Sequence, residues 1–198
     1  MKKATFSGTK SILCKILLCL TALTLAAGTA FAEGTSSEDN AGIEIFFTYQ
    51  RGTTIASNQL AVWVEDAEGA VVKTLLVTDF TAGRRGYRSR TMSLPAWVAA
   101  ADPESMSNEE IDTVSGATPG QGKLVYVWDF TNQLGERVPD GTYTVHVEGT
   151  FYWESDVLYT VVIDTANPGS EIPVEMERTA PDTRENENMI TDVTIRVI

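Results

Sequence analysis

Short runs of alternating apolar and polar residues, separated by turn residues, constrain the fold of this chain most strongly. In the clearest run, residues 142–148, Tyr143, Val145 and Val147 fall on one face of a strand. Similar short runs recur between residues 43 and 198, without the strand–helix–strand rhythm of a parallel sheet. The pattern predicts a mainly β protein that folds as a two-sheet β-sandwich.

A short helical insert is predicted around residues 94–111, between strands of the sandwich. Pro95 begins a segment that continues as an alanine run, and Ser107 precedes two acidic residues, Glu109 and Glu110. These are features of helix starts. We expect Trp97, a large aromatic residue within this insert, to pack as a lid over one end of the sandwich.

The arginine-rich segment 83–90 is a basic cluster in an otherwise acidic chain. Its simplest interpretation is a solvated loop whose arginines balance nearby carboxylates. The alternative is a contact with an anion or a partner, because guanidinium groups bind phosphate through paired donors.

Residues 1–32 have the order of a secretory signal peptide. Lysines come first, an apolar run at 16–27 follows, and Ala30-Phe31-Ala32 supplies small residues at a cleavage site. The polar segment 33–42 predicts a flexible linker, and residues 43–198 predict a single domain. We therefore expect an exported protein, periplasmic or extracellular, whose mature chain is not inserted in a membrane.

Removal of the signal peptide takes both cysteines and four lysines from the chain. Both cysteines, Cys14 and Cys19, lie within it, so the mature chain can form neither a disulfide nor a thiolate metal site. Without its four lysines, 11 basic residues face 27 acidic ones, a net charge of about −16. Such a surface repels nucleic acid, which we exclude as a partner.

The sequence offers no visible catalytic constellation. His146, the single histidine, belongs to the outward-facing set of its strand with Thr144 and Glu148, and it has no nucleophile partner in sequence. A calcium-loop pattern and a glycine-rich phosphate loop are also missing. We expect a chain that is not an enzyme and has no metal site.

Two family resemblances rest on particular segments. Trp128-Asp129 and residues 135–143 resemble the immunoglobulin-like domain of the flagellar hook-capping protein. Residues 43–165 more closely resemble domain-of-unknown-function family 2271, through Ala61-Val62-Trp63-Val64, Leu94-Pro95-Ala96-Trp97 and residues 112–119. This resemblance implies an exported, non-catalytic accessory protein of an extracytoplasmic flavin or membrane redox system. Its implied partners are a flavin transferase and a PepSY-type membrane protein.

Residues 112–118 are also similar to the flavinylation motif of exported FMN-binding domains, with Asp112, Ser115, Gly116 and Thr118 at the motif positions. The similarity implies that a transferase joins FMN phosphate to the hydroxyl of Thr118. Gly116 would leave room for the transferase, Ser115 would bind phosphate or cap a turn, and Asp112 would orient the loop. The protein would then be an electron carrier whose redox chemistry belongs to the flavin.

Two other interpretations of the chain stay open. Residues 115–120 are also typical of a turn-rich linker, and Pro119 favours an extended backbone at Thr118. In that case the chain has no cofactor, and it is either the non-catalytic accessory protein or a structural or adhesive immunoglobulin-like module.

Overall fold

The computed structural model describes residues 41–52, 58–83, 85–150, 155–167, 173–179 and 189–198. All of them fall within one unit, Ser37–Ile198. The expected signal peptide and nearly all of the expected linker lie outside the described residues.

Nine strands and four short helices occur in the described part of the chain. In order, they are β1 (Ile43–Tyr49), β2 (Gln59–Glu65), β3 (Val71–Thr78), α1 (Asp79–Ala82), α2 (Gly86–Ser89), α3 (Pro95–Ala101), α4 (Asn108–Val114), β4 (Ser115–Gly116), β5 (Gly122–Trp128), β6 (Thr142–Thr150), β7 (Asp156–Asp164), β8 (Val174–Thr179) and β9 (Ile190–Val197).

The strands form two sheets. One has three strands in the order β5-β1-β9, and the other has six in the order β4-β3-β2-β6-β7-β8. Every pairing is antiparallel except that of β3 with the two-residue β4. The prediction of a mainly β, two-sheet sandwich is confirmed.

The main core lies between the two sheets. Strand β6 turns Tyr143, Val145 and Val147 into this core, as the alternation predicted. From the facing sheet, β1 contributes every second residue: Ile43, Ile45, Phe47 and Tyr49. Each such side chain, fully buried, stabilises the fold by roughly 1.5–3 kcal/mol. Hydrophobic burial therefore holds together a sandwich that has no disulfide.

A second apolar cluster covers the outer face of the six-stranded sheet. Ala61 and Trp63 of β2 point away from the main core and pack against residues of the helices, including Leu94, Trp97 and Val114. Trp97 is fully buried, and its indole N–H donates to the Thr74 hydroxyl at 3.2 Å. The residue therefore packs as expected of a large aromatic, but it covers a sheet face and not an end of the sandwich.

The predicted helical insert is present as α3 and α4. Pro95 occupies the start of α3. Ser107 caps α4: its hydroxyl accepts from the Glu110 N–H, and the Glu110 carboxylate accepts from the Ser107 N–H. This reciprocal capping box satisfies two backbone donors that a helix start otherwise leaves free.

Helices α1 and α2 were not predicted: α1 directly follows β3, and α2 lies within the arginine-rich segment 83–90, for which a solvated loop is the simplest interpretation. Gly86 is required where α2 begins, since a Cβ there would lie 1.5 Å from the Phe80 carbonyl oxygen. Arg88 forms an ion pair with Glu104, which agrees with a charge-balancing role for this segment. Arg90 is instead buried, and burial lowers the pKa of its guanidinium.

Candidate functional site

The four residues of the candidate flavin motif lie along one continuous path at the edge of the six-stranded sheet. Asp112 is on α4, Ser115 and Gly116 form β4, and Thr118 follows in the loop that leads to β5. Strand β4 pairs in parallel with the end of β3, through Val77–Ser115 and Thr78–Gly116. Helix α4 and the pairing of β4 with β3 thus fix the position at which the Thr118 loop begins.

Thr118 presents an exposed side chain. Its hydroxyl donates to the backbone carbonyl oxygen of Asn58 at 3.4 Å, a long hydrogen bond. Asn58 itself is buried, and its amide N–H donates to the Tyr49 hydroxyl at 2.7 Å. Thr118 is therefore an exposed residue whose hydroxyl is held only by a long hydrogen bond among the described residues, and the acceptor of this bond belongs to the packed end of the sandwich.

The other three motif residues, Asp112, Ser115 and Gly116, make few side-chain contacts that point to a role. Asp112 is exposed, and within the described chain its carboxylate makes no hydrogen bond. The expected role of Asp112 in orienting the loop is therefore not visible in its contacts. Ser115 and Gly116 are half-buried, and a Cβ at Gly116 would meet a Leu76 methyl group at an ordinary 3.5 Å. The structure therefore has room for a Cβ atom at position 116.

The residues present fit covalent attachment at the phosphate end of FMN. Attachment there requires a reachable hydroxyl and small neighbours, and Thr118 with Gly116 and Ala117 supplies both. The flavin ring would then extend from the loop at the end of the sandwich where β5 begins.

A second cluster of polar groups, which the sequence did not predict, lies beneath α3. Glu148 of β6 was assigned to the outward-facing set, and it does point away from the main core, but the helices bury it completely. Its carboxyl oxygens accept the backbone N–H groups of Ala96 and Trp97, each at 2.8 Å. Glu148 therefore caps the start of α3.

A neighbouring hydroxyl and carboxyl group complete this cluster. Thr150 accepts the Leu94 N–H at 3.0 Å and donates to Asp156 Oδ1 at 3.0 Å. Leu94 has a left-handed backbone, with φ at 52°, which costs a non-glycine residue roughly 1–2 kcal/mol. The hydrogen bonds that Thr150 and Glu148 accept from the backbone at the start of α3 hold Leu94 in this strained conformation.

Both carboxyl groups of the cluster have a raised pKa. Burial and the charge of Asp156 raise the pKa of Glu148 to about 8, and burial raises the pKa of Asp156 to about 6. Their mutual hydrogen bond favours the proton on Glu148. The cluster is buried among packed side chains, and its hydrogen bonds attach the start of α3 to the sheet.

His146, on the same face of β6, also has a structural environment. Its ring stacks on Trp63 at 4.7 Å between ring centres, and its Nε2 lies 3.4 Å from the Glu65 carboxylate. Burial lowers the pKa of His146, against the opposing effect of Glu65. Among the described residues, no group of three or more histidine, cysteine or acidic side chains is arranged to hold a metal ion.

Surface grooves occur elsewhere on the described part of the chain. The end groove, of about 590 Å³, lies between the β2–β3 turn and the loop before β6, and it is lined by Glu68, Val72, Leu134 and Tyr143 among others. The outer groove, of about 310 Å³, crosses the three-stranded sheet and is lined by Phe46, Phe47, Thr48, Lys123, Leu124, Asp192 and Thr194.

In the part of the chain that the structure describes, no helix is long and apolar enough to span a membrane.

Comparisons with known proteins identify one family. Its model, described as a predicted periplasmic protein of domain-of-unknown-function family 2271, matches residues 43–179, more than half of the chain. No curated protein and no solved structure matches the chain. The matched segment spans the strands from β1 to β8, the helical insert and the Thr118 loop. The chain therefore belongs to family 2271 of predicted periplasmic proteins.

Proposed function

We propose that this chain is an exported accessory protein of an extracytoplasmic flavin-dependent redox system, and that it carries FMN joined to Thr118. The observation that supports this proposal is the exposed Thr118 hydroxyl, at the end of the motif that begins with Asp112. In this role the chain is not a catalyst. It positions a redox group that reacts with neighbouring proteins.

The attachment is a phosphoryl transfer from FAD. The Thr118 hydroxyl oxygen attacks the flavin-side phosphorus, a phosphate ester bond forms, and the pyrophosphate bond breaks. AMP leaves with the bonding electron pair, and the hydroxyl proton passes to a base of the transferase. Thr118 meets the need of this step because, within the described part of the chain, its Oγ1 is bound only by the long contact to the Asn58 carbonyl.

The proposed partners follow from this role. A flavin transferase modifies the exported chain, and a PepSY-type membrane protein exchanges electrons with the bound flavin. The periplasm is the proposed compartment, with the extracellular surface as the alternative. The strongly acidic surface of the mature chain favours partners with basic docking surfaces.

A structural or adhesive role is the second candidate, and the end groove favours it. Leu134 stands on the rim of this groove with 82% of its side chain exposed. Its loop is rigid: Asn132 Oδ1 accepts the N–H groups of Leu134 and Glu136, each at 3.0 Å. Together with Val72, Val138 and Tyr143, which also line the groove, Leu134 forms an apolar surface that a partner protein could contact.

Intact-mass measurement separates the two candidates. We expect the chain co-expressed with an active, exported flavin transferase to gain the mass of FMN less one water. Thr118→Ala should abolish the gain, whereas Thr113→Ala, at an exposed hydroxyl on α4, should preserve it. An unchanged mass of the wild-type chain beside a transferase that modifies its own substrate contradicts the carrier role and leaves the structural one.

A further inference from the structure

The outer groove lies at the same end of the sandwich as the Thr118 loop. Strand β5 begins at Gly122, which pairs with Tyr49 at the end of β1, and Lys123 pairs with Thr48. Tyr49 in turn accepts a hydrogen bond from Asn58, whose carbonyl accepts one from Thr118. A chain of direct contacts therefore connects the proposed attachment residue to the strand ends that border the groove.

The groove is within reach of a group attached to Thr118. Thr118 and Lys123 are five positions apart in the chain, so their α-carbons lie at most about 18 Å apart. The ribityl phosphate of FMN is a flexible arm, and its ring can fold back toward the sheet from the attachment point.

The groove offers an apolar floor for a planar ring. Phe46 and Thr48 alternate with the core residues of β1 and therefore face outward, as does Lys123 opposite Thr48. Beside the groove, Val125 pairs with Phe46 on the same face of the sheet, and its relative exposure is 47%. The Arg196 guanidinium lies 5.2 Å from the centre of the Phe46 ring, which holds this ring in place.

The rim of the groove carries complementary polar groups. Lys123 makes no ion pair with the described residues, and its ammonium group is free to donate to the carbonyl oxygens of a flavin ring. Asp192, on the opposite rim, supplies a carboxylate that can accept from the ring N–H. The polar edge of an isoalloxazine ring carries both kinds of group.

We propose that the isoalloxazine ring of an FMN attached at Thr118 lies in the outer groove, against Phe46 and beside Lys123. This inference rests on the proposed function, since it requires the flavin to be attached. Contact with Phe46 shields the ring from solvent, and the positive charge of Lys123 favours the reduced, anionic flavin.

The test uses the full chain after co-expression with a flavin transferase, with attachment first verified by intact mass. We expect the flavin fluorescence of the wild-type protein to be quenched relative to free FMN, and Phe46→Leu to restore much of it. Lys123→Gln should lower the midpoint potential, while Lys123→Arg should leave it near the wild-type value. Val127→Ala, at the far end of β5 on the same face, should change neither property.

Two other outcomes overturn the inference. In the first, the protein gains the flavin mass, but Phe46→Leu leaves the flavin fluorescence unchanged and Lys123→Gln leaves the midpoint potential unchanged. The ring then lies outside the groove, while attachment at Thr118 still holds. A wild-type chain that gains no mass beside an active transferase removes both the attachment and the groove as its site.

Discussion

At the scale of the residue, Glu148 shows how much the environment of one side chain depends on distant parts of the chain. The strand alternation correctly places Glu148 on the face opposite Val147, but it does not reveal that a helix covers this face. Nothing local in residues 142–148 signals the burial of Glu148. The N–H groups that stabilise its carboxyl group come from residues more than 50 positions away.

The buried Glu148–Asp156 pair predicts that the free energy of unfolding falls as the pH rises. The folded state raises the pKa of Glu148 from its usual 4.5 to about 8. Between these two pH values the folded protein keeps a proton that the unfolded chain has lost. Each rise of one pH unit in this range therefore lowers the free energy of unfolding by up to about 1.4 kcal/mol. Chemical denaturation of the wild-type chain at several pH values between 5 and 9 measures this slope.

The Glu148→Gln variant isolates the contribution of this carboxyl group. A glutamine side chain does not titrate, and its amide N–H can donate to Asp156, but its single amide oxygen replaces only one of the two acceptors at the start of α3. The variant is therefore less stable at every pH, and the informative quantity is its slope with pH. We expect a smaller loss of stability between about pH 6 and pH 8.5 than in the wild-type chain. Glu109→Gln, at an exposed position on α4, should keep the wild-type slope. Equal slopes for the wild-type and Glu148→Gln chains would refute a raised pKa of Glu148 in the folded state.

At the scale of the element, the helices form a layer that closes the outer face of the six-stranded sheet. α3 and α4 were predictable, because Pro95, the alanine run and the Ser107 capping box are local signals. The four-residue helices α1 and α2 were not, since each is too short to show a helical period. The two-residue β4 likewise depends on its contact with β3 and leaves no pattern in the sequence.

Trp97 is expected to contribute most to the attachment of this layer. Truncation of a buried tryptophan typically costs about 3–5 kcal/mol, and Trp97→Ala also leaves the Thr74 hydroxyl without its indole partner. Phe80→Ala, at a side chain that is 44% exposed on α1, should cost about 1 kcal/mol or less. Urea denaturation of both variants measures the difference. A loss below 1 kcal/mol for Trp97→Ala would show that the helical layer is not held by this residue.

At the scale of the whole molecule, fold and family could be predicted from the sequence more fully than the chemistry of any site. Short alternating strands and the absence of cysteine after residue 32 are global properties that many residues express together. The Thr118 motif, by contrast, is seven residues long, and its meaning depends on a partner enzyme. The outer groove could not be predicted, because the pairing of β1 with β5 brings together residues that are more than 70 positions apart.

The charge of the mature molecule predicts a salt-dependent stability. A net charge of about −16 on residues 33–198 creates self-repulsion that screening by salt relieves. We expect the Tm of the chain that lacks residues 1–32 to rise by a few degrees between low salt and about 0.3 M NaCl. A reducing agent should leave the Tm unchanged. A Tm that falls with added NaCl would contradict this electrostatic explanation.

The most direct test of the carrier role is to locate the flavin on the chain. Trypsin cleaves after Arg90 and Lys123, so a single peptide, residues 91–123, carries the whole motif together with Thr113 and Ser115. Fragmentation of this peptide, from protein exported beside an active flavin transferase, assigns the added mass to one hydroxyl group. We predict FMN phosphate on Thr118. An unmodified peptide, or a flavin on any other residue, would contradict the proposed role.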